Sequence, residues 1–263
     1  MKSIPYIILM CLFLSSCEDA IDLNLKDLQI KYVIEGVITN EPGVCKVMLS
    51  QTKDFKDKNT FNGISGAIVK IESDGITTVL PEGNNGIYQT DKINGTPGKT
   101  YRLTVSINDQ VFTASSTMPQ PVPFLDFTLK AIDYEPKRVR PKVKYKDVAS
   151  VANYYWFQQY VNGKLQQRYS VSNDEFTAGQ EINEYLLFEN TTDDESKNIV
   201  KGDKLMVEMH SIDAPVYTYL FTLYNANGSA NGPAPANPIS NISGGALGFF
   251  SAHTVERKTI VIP

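Results

Sequence analysis

From Tyr32 to Ala114 the chain turns back on itself roughly every ten residues, and short apolar-polar alternations fill the intervals. A period of two puts successive side chains on opposite faces of an extended strand, so each interval can bury one face and wet the other. Tyr32 to Ile38 and Val44 to Ser50 alternate around the turn residues Thr39 to Gly43 and predict a hairpin. Gly66 to Glu72 and Thr77 to Leu80 do the same around Ser73-Asp74-Gly75, and Thr100 to Val105 returns through Asn108-Asp109 into Val111 to Ala114. Short strands at this spacing predict a β-sandwich over residues 29–120. The window Met118 to Pro123 holds three prolines, which cannot donate to a sheet ladder, and it marks the expected junction to a second domain at 121–263.

The second half repeats the logic with one exception. Asn162-Gly163, between Tyr154 to Val161 and Lys164 to Val171, is the strongest hairpin signal in the chain, and Lys204 to Ile212 and Lys258 to Ile262 read as further strands. Val216, Tyr219, Leu220, Leu223 and Tyr224 instead fall at helical spacing. Asp213 is the expected N-cap and Pro215 suits the first turn, which predicts one short helix near 214–225. The expected fold class is therefore mainly β: two β-sandwich-like domains, the second carrying the helix.

The N-terminus sets an expected location. Lys2 precedes an apolar run, Ile4 to Phe13, that is too short for a stable membrane span, and Leu14-Ser15-Ser16-Cys17 closes it. This pattern predicts a lipoprotein signal peptide at 1–16, cleaved before Cys17, whose thiol takes a diacylglyceryl group. Residues 17–28 then form a lipidated tether. Two or three acyl chains, at about 0.8 kcal/mol per buried CH₂, hold a protein far more firmly than one. Glu18 and Asp19 follow the anchor directly and are similar to the acidic export signal of surface-exposed lipoproteins in Bacteroidota.

Charge and cysteine content narrow the chemistry. The formal net charge is −4, and removal of the leader takes away one lysine, so the chain lacks the broad positive field that nucleic-acid binding needs. Lys137, Arg138, Arg140, Lys142, Lys144 and Lys146 cluster, but they alternate with Val139, Val143 and Tyr145 and read as a solvated strand face in preference to a polyanion patch. Cys11 leaves with the leader and Cys17 is acylated. Cys45 is left as a lone thiol in a strand, where it reads as a core residue.

No metal site and no cofactor are expected. His210 and His253 lack metal-ligand spacing, and Asp193, Asp194 and Glu195 read as a solvated loop without calcium-loop spacing. No nucleophile elbow, phosphate loop or dinucleotide fingerprint occurs, so the expectation is a protein that is not an enzyme, with a hydrolase of dispersed site as a lesser alternative. The aromatic run offers candidate binding residues. Alternation places Tyr154, Trp156 and Tyr160 on one face and Tyr155, Phe157 and Val161 on the other. One face is core; if the Trp156 face is open, its rings could stack on sugars or on a protein partner.

Several segments together resemble a known family. Val33 to Asn40, Gly66-Ala67-x-Val69, Gly86-x-Tyr88, Gly98-x-x-Tyr101-x-Leu103, Asn153-Tyr154-Tyr155, Tyr217-x-Tyr219-Leu220 and Asn237 to Phe250 recur in this order in Bacteroidota outer-membrane lipoproteins of domain-of-unknown-function family 4249. The glycine-tyrosine series separately resembles transthyretin-like or carboxypeptidase-regulatory-like sandwiches. The first resemblance implies an accessory lipoprotein of an outer-membrane uptake system with a TonB-dependent receptor as partner, and the acidic pair Glu18 and Asp19 adds the expectation that it faces the cell exterior. It brings no catalytic residues. The function expected is thus a non-enzymatic binding or accessory subunit of a TonB-dependent nutrient-uptake system; the alternative is a structural or adhesive surface protein binding glycans or host matrix. If Cys17 is the anchor, Cys17→Ala should release the protein from the membrane fraction and abolish acyl labelling; retention without label would overturn the lipobox reading.

Overall fold

A computed structural model describes residues 30–53, 61–132, 135–149, 151–188, 199–226 and 237–262. The leader, Cys17, Glu18, Asp19 and the 190–198 loop lie outside these residues. The structure is mainly β. Strands β1 (Tyr32–Thr39) and β2 (Cys45–Gln51) form the expected hairpin, closed by the Thr39 amide donating to the Val44 carbonyl at 3.0 Å. Strands β3 (Ile68–Ser73) and β4 (Ile76–Leu80) turn on Asp74 and Gly75, whose φ angles of 52° and 76° suit the primed turns that match strand twist. Strands β5 (Ile87–Thr90), β6 (Thr100–Ile107) and β7 (Gln110–Thr117) complete the first half.

The second half contains β8 (Phe124–Ile132), β9 (Glu135–Lys146), β10 (Tyr154–Val161), β11 (Lys164–Leu165), β12 (Ser170–Asn173), β13 (Glu181–Tyr185) and β14 (Lys204–Ile212). Helix α1 (Ala214–Ala226) follows, and β15 (Leu247–Val261) ends the fold. Among the described residues no helix is long and apolar enough to cross a membrane.

Two sequence expectations change here. The expected return strand Lys164 to Val171 is split into β11 and β12, both pairing β10, and the excursion between them lets the Tyr169 hydroxyl donate to the Leu220 carbonyl of α1 at 2.9 Å. The expected separate C-terminal strand is one continuous strand of 15 residues. That length follows from pairing with two different partners. Leu247 to His253 run parallel to β1, and Thr254 to Val261 run antiparallel to β14.

The sheets stack accordingly. β15 joins β5-β2-β1 to β14-β10 in one eight-stranded sheet, with β11 and β12 both paired to β10, while β4-β3-β6-β7 and β13-β9-β8 form separate sheets. Ile34, Ile38, Val47 and Leu49 pack against Val69, Ile71, Leu103 and Phe112 of the four-stranded sheet. Tyr155, Phe157, Val207 and Met209 pack against Phe127, Val143 and Tyr145 of the three-stranded sheet. The boundary near residue 120 therefore does not divide the sheets cleanly. Ile242, Ala246, Phe250 and Ala252, from the C-terminal end, belong to the first core, and β15 extends into the second half.

The edge of β15 that β14 does not reach is satisfied by side chains, because buried amides without partners are costly. Asn241 accepts from the Phe250 amide at 2.9 Å and donates to its carbonyl at 2.8 Å, and Ser116 Oγ accepts from the Ala252 amide at 2.9 Å. The glycine-tyrosine series works the same way. Tyr88 Oη accepts from Ala67 and donates to the Ile64 carbonyl, and Tyr101 Oη accepts from Thr96, so each ring sits in core while its hydroxyl fixes a loop.

Gly248 marks the tightest approach of β15 to β1. Its φ is 96°, and a Cβ there would lie 2.1 Å from the Ile34 carbonyl oxygen. Gly248→Ala should cost about 3 kcal/mol from strain and overpacking. Gly75→Ala, also at positive φ but with no atom within 4 Å of an added Cβ, should cost about 1 kcal/mol. Urea denaturation of both variants checks the difference; equal losses would mean that the β1–β15 contact yields easily.

Candidate functional site

The register across β10, β14 and β15 builds the site. Trp156 pairs with His210, His210 with Val255, Gln158 with Glu208, and Glu208 with Arg257. Alternation then collects Tyr154, Trp156, Tyr160, His210, Glu208, Phe249, Ser251, His253 and Arg257 on the sheet face opposite the two main cores. Helix α1 covers this face through Val216, Tyr219 and Leu220, which pack with Trp156, Ile212 and Phe249. The helix is held by the expected cap: Asp213 Oδ1 accepts from the Val216 amide at 3.2 Å, while its other oxygen accepts from Ser116 Oγ and the Thr117 amide of β7.

Trp156 is not an open platform. It is 9% exposed and stacks on His210 with centroids 4.7 Å apart, with His253 and Phe249 edge-on at 5.9 and 6.3 Å. Both faces of β10 are core, because α1 supplies a second apolar layer that alternation alone does not reveal. His210 and His253 lie 4.9 Å apart and are both buried. Ser251 Oγ is 2.9 Å from His253 Nδ1. Neither ring nitrogen of His210 makes a hydrogen bond; its Nε2 lies 3.4 Å from Glu208 Oε2, in poor alignment.

An ion-pair chain leads outward from this pocket of rings. Arg257 Nε donates to Glu208 Oε1 at 2.5 Å, and its two terminal nitrogens bind the carboxylate of Glu41 in the fork geometry suited to a guanidinium. Tyr160, the third expected binding aromatic, donates its hydroxyl to Glu208 Oε2 at 3.1 Å and serves the same chain.

Burial dominates the electrostatics. It pushes His210 below the usual imidazole range, against a partial upward pull from Glu208, and pushes His253 well below with help from the neighbouring His210. Burial works to raise Glu208, but the hydrogen bond and charge of Arg257 oppose it, and the carboxylate is held below its usual range. Tyr160 is pushed up to about 12 by burial, then by the Glu208 charge. Cys45, 1% exposed in the first core, is pushed up to about 12 by burial, which suppresses the thiolate that a nucleophile needs. Among the described residues no group of three or more His, Cys, Asp or Glu side chains could hold a metal ion. The arrangement is two neutral imidazoles sealed between aromatic rings.

Exposed aromatic surface lies one layer further out, on α1. The Tyr154 ring lies 5.1 Å from that of Tyr217, and Tyr217 stacks on Phe221 at 5.7 Å. Phe221 is 45% exposed. Beside this row, Tyr169 meets Tyr224 edge-on at 6.3 Å, and Tyr224 is also exposed rather than part of the buried stripe expected of it. Asn173 Nδ2 donates to the Tyr217 hydroxyl at 3.3 Å, and the Tyr169 hydroxyl is tied to α1 as described above. Of the sequence candidates, only Tyr154 joins this row. Tyr217 and Phe221 stand at i, i+4 beside the apolar stripe, a spacing the sequence shows, whereas Tyr224 was read as part of the stripe and Tyr169 comes close only through the break between β11 and β12.

Residues 237–245 are engaged along β15 and β7 through Ser240, Asn241 and Ser243. The model of the family described as Domain of unknown function (DUF4249) matches residues 18–259. No curated protein matches the chain.

The buried histidines predict acid sensitivity. Below an unfolded-state value of about 6.5, the unfolded chain takes up protons that the folded imidazoles refuse, so stability falls as pH falls. At pH 5 each histidine should cost up to about 2 kcal/mol relative to pH 7. Glu208 acts in a lower window, losing its contribution as pH drops from its ordinary carboxylate range toward 2. Urea midpoints measured between pH 7 and pH 5 check this, and the slope should shrink in His253→Asn. A flat profile would show that the folded imidazoles accept protons freely.

Proposed function

This chain belongs to the DUF4249 family, and we propose that it serves as an outer-membrane lipoprotein, anchored through Cys17 and facing the cell exterior. In this reading it is a non-enzymatic binding or accessory subunit of a TonB-dependent nutrient-uptake system. The leader and the acidic pair Glu18 and Asp19 support the address, and the family resemblance supports the receptor.

The observation that carries a binding role is the aromatic row Tyr154–Tyr217–Phe221. Its inner rings are fixed by packing and by the Asn173 hydrogen bond before any partner arrives, and its outer ring is in solvent. Rigid aromatics provide large contact area at small entropic cost, which is why they dominate binding hot spots. The same row favours the second reading, adhesion to glycans, since sugar rings stack on aromatic faces and Asn173 stands beside them.

Purification of the native lipoprotein from outer membranes in mild detergent should bring down a TonB-dependent receptor in stoichiometric amount. Phe221→Ala should weaken that association roughly thirtyfold, the ratio expected for an aromatic hot spot of about 2 kcal/mol, while leaving the urea midpoint nearly unchanged. Recovery of the lipoprotein alone, together with binding to a glycan array that Phe221→Ala abolishes, would replace the uptake role with the adhesive one.

A further inference from the structure

The outward face of the three-stranded sheet concentrates positive charge in an otherwise acidic chain. On β9 the inward positions Val143 and Tyr145 are sealed in the core, so Arg140, Lys142, Lys144 and Lys146 point the other way. Cross-strand pairing sets Lys130 of β8 beside Arg140, Thr128 and Tyr185 beside Lys142, and Asp126 and Asn183 beside Lys144. The face thus carries five cations against two carboxylates, Asp126 and Glu181.

Those carboxylates are largely committed. Glu181 pairs with Lys144 at 2.7 Å, and Asp126 accepts from the amide of Phe127 at 2.8 Å. Lys146 donates to the Gly179 carbonyl. Lys130, Arg140 and Lys142 have no carboxylate partner among the described residues. Instead the Arg140 guanidinium lies over the Tyr185 ring at 4.0 Å, with the Lys142 ammonium 5.6 Å from the same centroid. Stacking holds a guanidinium flat and leaves donors at its edge, the presentation that suits phosphate oxygens. The buried Nε of Arg140 makes no hydrogen bond.

We infer that this face docks onto an anionic bilayer surface through phosphate-bearing lipid headgroups. The inference rests on the lipid anchor of the function proposed above. The chain between Cys17 and Tyr32 can extend to about 50 Å, so the tether alone leaves the orientation of the folded part on the membrane undetermined. Charge complementarity then selects it: a chain of net negative charge is repelled by an anionic leaflet except where this sheet face turns toward it. The aromatic row of α1 belongs to a different face and a different contact.

The test uses the full mature chain with Cys17→Ser, so that no acyl group contributes. Cosedimentation is measured with vesicles of phosphatidylcholine alone and of phosphatidylcholine mixed with phosphatidylglycerol. Binding is expected to the mixed vesicles only, and high salt should release it. Each charge removed from the face should weaken partitioning about fivefold, so K130Q/R140Q/K142Q should lose about a hundredfold. The control K70Q/K164Q/K204Q removes the same net charge elsewhere and should lose far less. Equal losses in the two triple variants, or equal binding to neutral vesicles, would overturn the inference. Release by inorganic phosphate at matched ionic strength would reassign the face to a free anion and would also overturn it. Absence of acyl labelling at Cys17 would remove the anchor without altering vesicle binding, so the two failures are distinguishable.

Discussion

The parallel pairing of β1 with β15 is the contact on which the rest of the structure depends. It brings the first described strand beside the last, so the chain must close its longest loop before the first sandwich has its full core. Long-range strand pairing is entropically expensive and gains nothing until the ladder forms. Three local devices support it. Gly248 allows the close approach to Ile34, Asn241 mimics a neighbouring strand at Phe250, and Ser116 supplies an acceptor for Ala252. The same Ser116 hydroxyl donates to Asp213, so the edge of β15 and the cap of α1 share one residue.

That shared residue explains why the helix is a structural part of the site. α1 closes the face that holds Trp156, and burial lowers the proton affinity of His210 and His253 beside it. It also relocates the exposed aromatic area. Rings that would have faced solvent on β10 are covered, and Tyr217 and Phe221 present a new surface above them. The Glu41–Arg257–Glu208 chain balances the buried polar groups at the margin of this layer, where a charge left unpaired would be costly.

Two surfaces of different chemistry lie in the second half, one on the helix and one on the three-stranded sheet. One face offers rigid aromatic rings suited to a partner with planar or apolar groups. Another offers unpaired cations suited to anions. The two surfaces share no residue.

Periodicity and turn chemistry determined much of the fold: the strand positions, the Asn-Gly and Asp-Gly turns, the helix at 214–226 and its Asp213 cap follow from local rules that act over a few residues. The burial of Cys45 was legible for the same reason. Tertiary structure decided the remainder. That β15 serves both halves depends on contacts far apart in sequence, and a period of two cannot say which strand lies alongside. Alternation placed Tyr154, Trp156 and Tyr160 on one face but could not show that a helix would cover it, since the covering layer comes from a segment some sixty residues later. Lys130 and Tyr185 joined the basic strand only through cross-strand register. Local sequence specifies what a segment can become; which faces meet is settled by the burial of apolar area, a property of the assembled layers rather than of any one strand.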